Sequence, residues 1–265
     1  MDPLRPRDFG QLLDAAFRLA FQRFGLFVKL HVALALLAYG GMAVGVAPLV
    51  AGFVMESWPL IAAGAVVAFL ALVLVLWVSG VFVGAIQHAI GKEAIGEHAN
   101  FRESLRVGRE RPWSVLFAEV MAQIGAFLCC FGIFLSIAHF WMAAPVVVLE
   151  GSAGTAALER SSQLTAGRRW HAIGLWFLMS FIAFSVMGPI TFPMMFFLDY
   201  LQRNHSAETY LAATILQQVV STGGGFVFGL FTRCAQTLFY LDLRVRKEGL
   251  DLQIGHRSAE ATAVG

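Results

Sequence analysis

The sequence predicts an all-α fold, a polytopic transmembrane helical bundle, and three observations carry that reading. Hydrophobic residues make up 58% of the 265 residues and charged ones only 14%, where a soluble domain carries about 25% charged. Charges are absent from Val32 to Met55, Ser57 to Gly91, Val120 to Leu149, Trp170 to Leu198 and Thr209 to Thr232. Each of these blocks reaches the roughly 20 apolar residues that a spanning helix needs. Lysines and arginines cluster between the blocks, as short loops facing one side of a membrane require. The formal net charge of +2 is too small to suggest a nucleic-acid partner.

Taken in order, residues 8–24 read as an interfacial amphipathic helix. Asp8 with Gln11 forms a weak capping box, and Phe9, Leu12, Leu13, Ala16, Phe17, Ala20 and Phe24 share one face. The start lacks the basic, apolar and cleavage regions of a signal peptide, so the first crossing is expected to insert uncleaved. Membrane segments are expected at 26–48 and 60–88, joined by a turn at Glu56, Trp58 and Pro59. A basic loop follows, with Lys92, Arg102, Arg106, Arg109 and Arg111. Residues 113–149 are apolar apart from Glu119. Thr155 to Ala166 reads as a short helix, capped by Thr155 or Ser152 and ended by Gly167. Further membrane segments are expected at 170–198 and 209–241, the first containing Pro189 and Pro193. Residues 1–254 form a single membrane domain, and 255–265 read as a disordered tail. Three charged helical segments, each feeding an apolar block, suggest a repeated supersecondary unit.

Charge placement sets the expected topology. Arg5, Arg7, Arg18, Arg23 and Lys29 precede or begin the first crossing, and Arg244, Arg246, Lys247 and Arg257 follow the last. Arg160, Arg168 and Arg169 lie between the third and fourth apolar regions, whereas the intervening turns carry only Arg203. The amino terminus, both basic loops and the carboxyl terminus are therefore expected on the cytoplasmic side of a bacterial plasma membrane. Residues 113–149 must then go out and back, as segments 113–130 and 132–149 with a turn near Cys129, Cys130 and Gly132. Two short crossings or a re-entrant hairpin satisfy the count, whereas one long tilted helix does not. The expectation is six crossings arranged as three hairpins, with interfacial helices on the cytoplasmic side.

Inside such a bundle, small residues at four-residue spacing favour close helix contact: Gly41 with Gly45, Gly80 with Gly84, and Gly225 with Gly229. Glu119 and Arg233 are candidates for an intramembrane ion pair, because an unpaired charge there is costly. The pair reads as a structural tie, with a proton or anion site as the alternative. His31, His88 and His139 share no ligand spacing, and Cys129, Cys130 and Cys234 read as apolar packing residues. No metal, nucleotide or nucleophile motif is present, and no cofactor is expected.

APVVVLEG at 144–151, followed by ALERSSQLTAGRRWHAIGL at 157–175, resembles bacterial membrane proteins with the glycerophosphoryl diester phosphodiesterase membrane domain. LRPRDFGQLLDAAFRLAFQRFGLF and FYLDLRVRKEGLDL are similar to the ends of that family. The family is named for fusions with a soluble phosphodiesterase barrel of about 250 residues, and the metal-binding cluster of that barrel is not visible here. The resemblance implies a membrane module without phosphodiesterase activity.

The function expected is that of a non-catalytic scaffold or accessory subunit, contacting membrane lipids and possible membrane-protein partners or a second copy. Arg18, Arg23, Arg168, Arg169 and Trp170 are the candidate contacts to anionic headgroups. The alternative is a small-molecule or lipid transporter, favoured by helix breaks expected at Pro189, Pro193 and the run Gly223 to Gly225.

Overall fold

Long apolar blocks with no polar stripe can only be satisfied as helices that face lipid or one another. In the computed structural model, which describes residues 6–125, 130–204, 206–250 and 252, ten helices account for nearly every described residue. They are α1 (Phe9–Gln22), α2 (Phe24–Val54), α3 (Trp58–Ala94), α4 (Phe101–Glu110), α5 (Pro112–Gln123), α6 (Cys130–Phe140), α7 (Ala143–Leu149), α8 (Thr155–Thr165), α9 (Arg169–Asn204) and α10 (Ala207–Glu248). No strand occurs among the described residues. The expected tail at 255–265 lies outside them.

The four long helices form two hairpins, α2 with α3 and α9 with α10, and each helix has two regimes. In α3 the residues beyond Trp77 are enclosed, including Val78, Val81, Ala85, Ile86, Ala89 and Ile90. Trp58 to Val78 spans about 30 Å at 1.5 Å per residue, which is the thickness of a bilayer's hydrocarbon core. Over that length Val66, Phe69, Leu70 and Leu72 are exposed. In α10 Leu211, Ile215, Leu216 and Val219 are exposed, while burial sets in at Leu230 and is unbroken from Cys234 to Leu243. The same division falls after Leu34 in α2, which runs in the opposite direction, and after Met179 in α9, although Gly45 and Gly52 of α2 and Gly188, Leu198 and Leu201 of α9 are buried beyond it. The outer lengths are lipid-facing arms.

The enclosed ends converge on a helical base. Its core takes Leu12, Ala16, Leu19 and Ala20 from α1, Ala157 and Leu164 from α8, and Leu238, Tyr240, Leu241 and Leu243 from α10. α1 packs on α10 through Phe17 and Phe231, whose ring centres lie 4.5 Å apart. Asn100 caps α4, accepting from the Arg102 amide at 3.2 Å. α8 starts from Gly154 instead of Thr155 or Ser152, and Gly167, at φ +83°, ends it as expected. The amino terminus, α4, α8 and the end of α10 thus share one end of the molecule.

The run 113–149 does fold back. α5 packs against α6 and α7, and a Cβ on Gly125 would lie 1.9 Å from the Gly132 carbonyl oxygen. The turn residues 126–129, Cys129 included, lie outside the described residues. Five helical stretches among the described residues are long and apolar enough to cross, and α5 is not one of them. Its 12 residues cover about 18 Å, short of the roughly 30 Å required. The returning stretch, Gly132–Leu149, is unlike the other four: 56% of it is buried inside the chain, against at most 17% for them. Leu149 packs on Gly91 of α3, so this hairpin is enclosed by the base. A helix wrapped by other helices and one wrapped by lipid carry the same composition, and the fold-back fits both expected alternatives, two short crossings and a re-entrant hairpin.

The long helices also overrun their expected limits of 48, 88, 198 and 241 by six or seven residues. Pro189 and Pro193 sit inside α9, and Gly223 to Gly225 inside α10, without a break in either helix. Glycine is required where backbones touch. A Cβ on Gly45 would meet Ala71 Cβ at 2.2 Å, and one on Gly80 would meet the Pro112 carbonyl oxygen at 2.3 Å. Gly80→Ala is therefore expected to cost about 1–3 kcal/mol, the usual range for overpacking. Gly40→Ala, whose Cβ meets nothing within 4 Å, should be neutral or slightly stabilising. Thermal unfolding of both variants in detergent checks the contrast.

Candidate functional site

Burial of a polar group in the base is tolerated only with partners, and the partners define three clusters. The first joins α5 to α10. Arg233 Nη2 donates to Glu119 Oε2 at 2.8 Å, and Nη1 donates to Glu119 Oε1 and to Gln236 Oε1 at 3.1 Å. Gln236 also accepts from Gln87 Nε2 of α3 at 3.2 Å, and its own amide donates to the Trp141 carbonyl oxygen. Gln236 of α10 thereby joins α3 to the turn between α6 and α7, and Arg233 joins it to α5. The ion-pair side chains are 25% and 19% exposed. Arg233 lies three residues past Leu230, at the rim where arm becomes base. That position suits a bidentate guanidinium–carboxylate contact, since the rim leaves both groups partly hydrated.

The second cluster was not anticipated. Glu150, at the end of α7, receives Arg160 Nε at 2.8 Å and Nη2 at 3.2 Å, and the Tyr240 hydroxyl at 2.8 Å. Arg160 reaches on to Glu248, which also accepts from Arg244 Nε at 2.9 Å. The Glu150 carboxylate, bonded to Arg160, pushes that guanidinium's pKa further up and keeps it charged. This clamp closes the end of α10 over α8. Lys247 Nζ adds bonds to the Gln163 and Ala166 carbonyl oxygens, each at 2.7 Å. A third cluster ties the amino terminus down: Asp242 accepts from the Arg7 amide at 2.8 Å and from Arg246 Nε at 2.8 Å.

The candidate headgroup contacts divide. Arg18 pairs with Asp14 at 2.8 Å along α1, and Arg23 is held by Glu93 at 3.1 Å. Arg168 and Arg169 form no ion pair among the described residues, and Trp170 beside them is 82% exposed. Sequence reasoning missed a second basic face. Arg102, Arg106 and Arg109 are exposed on α4 and form no ion pair among the described residues. Their spacing of four and three residues places them on one side of the helix, opposite the buried Ser104 and Gly108. That periodicity was the available signal. On the flank, Lys92 donates to Glu103 at 2.8 Å, and this bond holds the Glu103 carboxyl below its usual range. No group of three or more His, Cys, Asp or Glu side chains gathers among the described residues.

This arrangement defines a multi-pass helical membrane protein in which lipid-facing arms rise from a charged, interlocked base. A family model described as the membrane domain of glycerophosphoryl diester phosphodiesterase matches residues 113–263, over half of the chain. The chain belongs to that family, and the match is to its membrane domain and not to a catalytic domain. α6 to α10 and all of α5 but Pro112 fall within the matched residues, with both partners of the Glu119–Arg233 contact and all members of the Glu150 clamp. No curated protein and no solved structure matches the chain.

Glu119→Gln and Arg233→Gln should each cost about 1–3 kcal/mol, less than the 3–5 of a fully buried pair because both groups keep some water. The exchanged pair, Glu119→Arg with Arg233→Glu, should recover part of the loss. Detergent-solubilised melting temperatures of the three variants measure it; equal losses in all three would assign the cost to packing.

Proposed function

We propose that the chain is a non-catalytic inner-membrane protein, a scaffold or accessory subunit whose base lies on the cytoplasmic side and meets anionic lipid headgroups. The observation that carries this reading is that Arg168 and Arg169 form no ion pair among the described residues and lie beside an exposed indole at Trp170. Indole rings favour the headgroup level, and basic residues there attract anionic lipid by about 1 kcal/mol each. Arg102, Arg106 and Arg109 extend the same charge over α4. Arg18 and Arg23 contribute less, since Asp14 and Glu93 already engage them. Only the membrane domain of the family is matched, which supports a role without catalysis. The transporter alternative loses its motive, because α9 and α10 continue through Pro189, Pro193 and the glycine run.

The test is lipid retention after reconstitution into nanodiscs of mixed phosphatidylglycerol and phosphatidylcholine. The wild type should enrich phosphatidylglycerol. Arg168→Gln with Arg169→Gln should lower the apparent affinity by roughly 30-fold, which corresponds to about 2 kcal/mol. Equal retention of both lipids by the wild type would contradict the reading.

A further inference from the structure

The outer half of α10 breaks the rule that the other arms obey. It is the least apolar of the five candidate spans, and none of its most apolar stretch is buried inside the chain. Yet it carries Thr214, Gln217, Gln218, Ser221 and Thr222. The hydroxyls of Thr214 and Ser221 are satisfied within the helix, by the Tyr210 carbonyl at 2.8 Å and the Gln218 carbonyl at 3.2 Å. The carboxamides are not. Gln218 spends one N–H on Thr222 Oγ1 at 3.2 Å, its carbonyl oxygen accepts no bond, and Gln217 makes no side-chain bond among the described residues. Gln218 lies ten residues from Glu208, about 15 Å along the helix, which is mid-depth in a hydrocarbon layer of about 30 Å. Lipid cannot satisfy an amide there.

The glycines give an independent sign. Gly45, Gly52, Gly64, Gly80 and Gly84 each have another helix against the position of their missing Cβ, at 2.2 to 3.1 Å. At Gly225 and Gly229 a Cβ would meet nothing within 4 Å. These two share a stripe with Gln218 and Thr222, at spacings of three and four residues. Gly224, which carries the contact to Met187 of α9, lies roughly 130° round the helix from the stripe's centre. The stripe therefore points away from its own hairpin partner.

We propose that this stripe is the contact surface for a second copy of the chain, packed α10 against α10. Two copies inserted in the same orientation are related by a two-fold axis along the membrane normal, which sets each residue opposite itself at equal depth. A carboxamide is both donor and acceptor, so Gln218 of one copy satisfies Gln218 of the other. Gly225 and Gly229 let the two backbones approach closely enough for that exchange. The stripe carries no charge, so a copy meets no like-charge repulsion. The contact stands independently of the headgroup reading above.

Cysteine crosslinking in native membranes tests it, using the full chain with Cys129→Ser and Cys130→Ser. Leu211→Cys and Thr222→Cys lie on the stripe, whereas Leu216→Cys and Val219→Cys lie on other faces, where both residues are as exposed as Leu211 and more exposed than the half-buried Thr222. Oxidation should yield covalent dimers from the first two and not from the second two. Adding Gln218→Leu with Gly225→Leu should lower the dimer yield at least fivefold, while elution in detergent stays monodisperse because the stripe contributes nothing to the monomer's own packing. Equal yields from all four positions, no dimer at any, or an unchanged yield after the double substitution would each overturn the proposal. A crosslink to a protein of different mass would replace the second copy with another partner.

Discussion

Every long helix in this protein must satisfy two solvents in succession, and the boundary between them organises the rest. Over the outer lengths of α2, α3, α9 and α10 the side chains meet lipid, which has no hydrogen bonds to offer. Past Val78 in α3 or Leu230 in α10 they meet other helices. The lipid-facing length of α3 equals the thickness of a hydrocarbon layer, about 30 Å, and there the helix passes into a body built from the short, charged segments. Those segments could not fold alone. α1, α4 and α8 are 10 to 14 residues long, marginal as isolated helices. They are stable because the enclosed ends of the long helices offer them an apolar surface.

Charge performs two tasks in that body. Exposed pairs such as Arg18 with Asp14 contribute little to stability. The partly enclosed groups are different, because each would be stranded without its partner. Arg233 shares Glu119 and Gln236, and Arg160 shares Glu150 and Glu248. These contacts hold α5, α8 and α10 in one relative arrangement. Among the described residues, the guanidinium groups without an ion pair include those of Arg102, Arg106 and Arg109 on α4 and of Arg168 and Arg169 at the start of α9.

Legibility in the sequence followed the cost of error. Glu119 and Arg233 were visible as a pair because a lone charge flanked by an apolar block demands an explanation. The Glu150 clamp was not visible, since Glu150, Arg160, Arg244 and Glu248 sit in polar stretches where each looks like an ordinary solvated residue. Their meeting is set by tertiary packing between segments up to 98 residues apart. The fold-back of residues 113–149 followed from the sorting of basic residues, but its enclosure did not, because hydropathy does not distinguish protein from lipid as a neighbour. Gly45 and Gly80 were legible as contact points. Gly225 and Gly229 carried the same spacing, and only the folded structure reveals that no described residue fills it.

The hairpins α2–α3 and α9–α10 cross the membrane from a base that gathers on one side of it. Labelling of single cysteines with an impermeant thiol reagent in intact and permeabilised cells tests this most directly, with cysteine placed at Glu56, Glu97, Ala166 and Asn204. The positions at 97 and 166 should label together, on the face opposite to 56 and 204. Labelling of 97 and 166 from opposite faces would mean that residues 113–149 cross once, and the shared base described here could not exist.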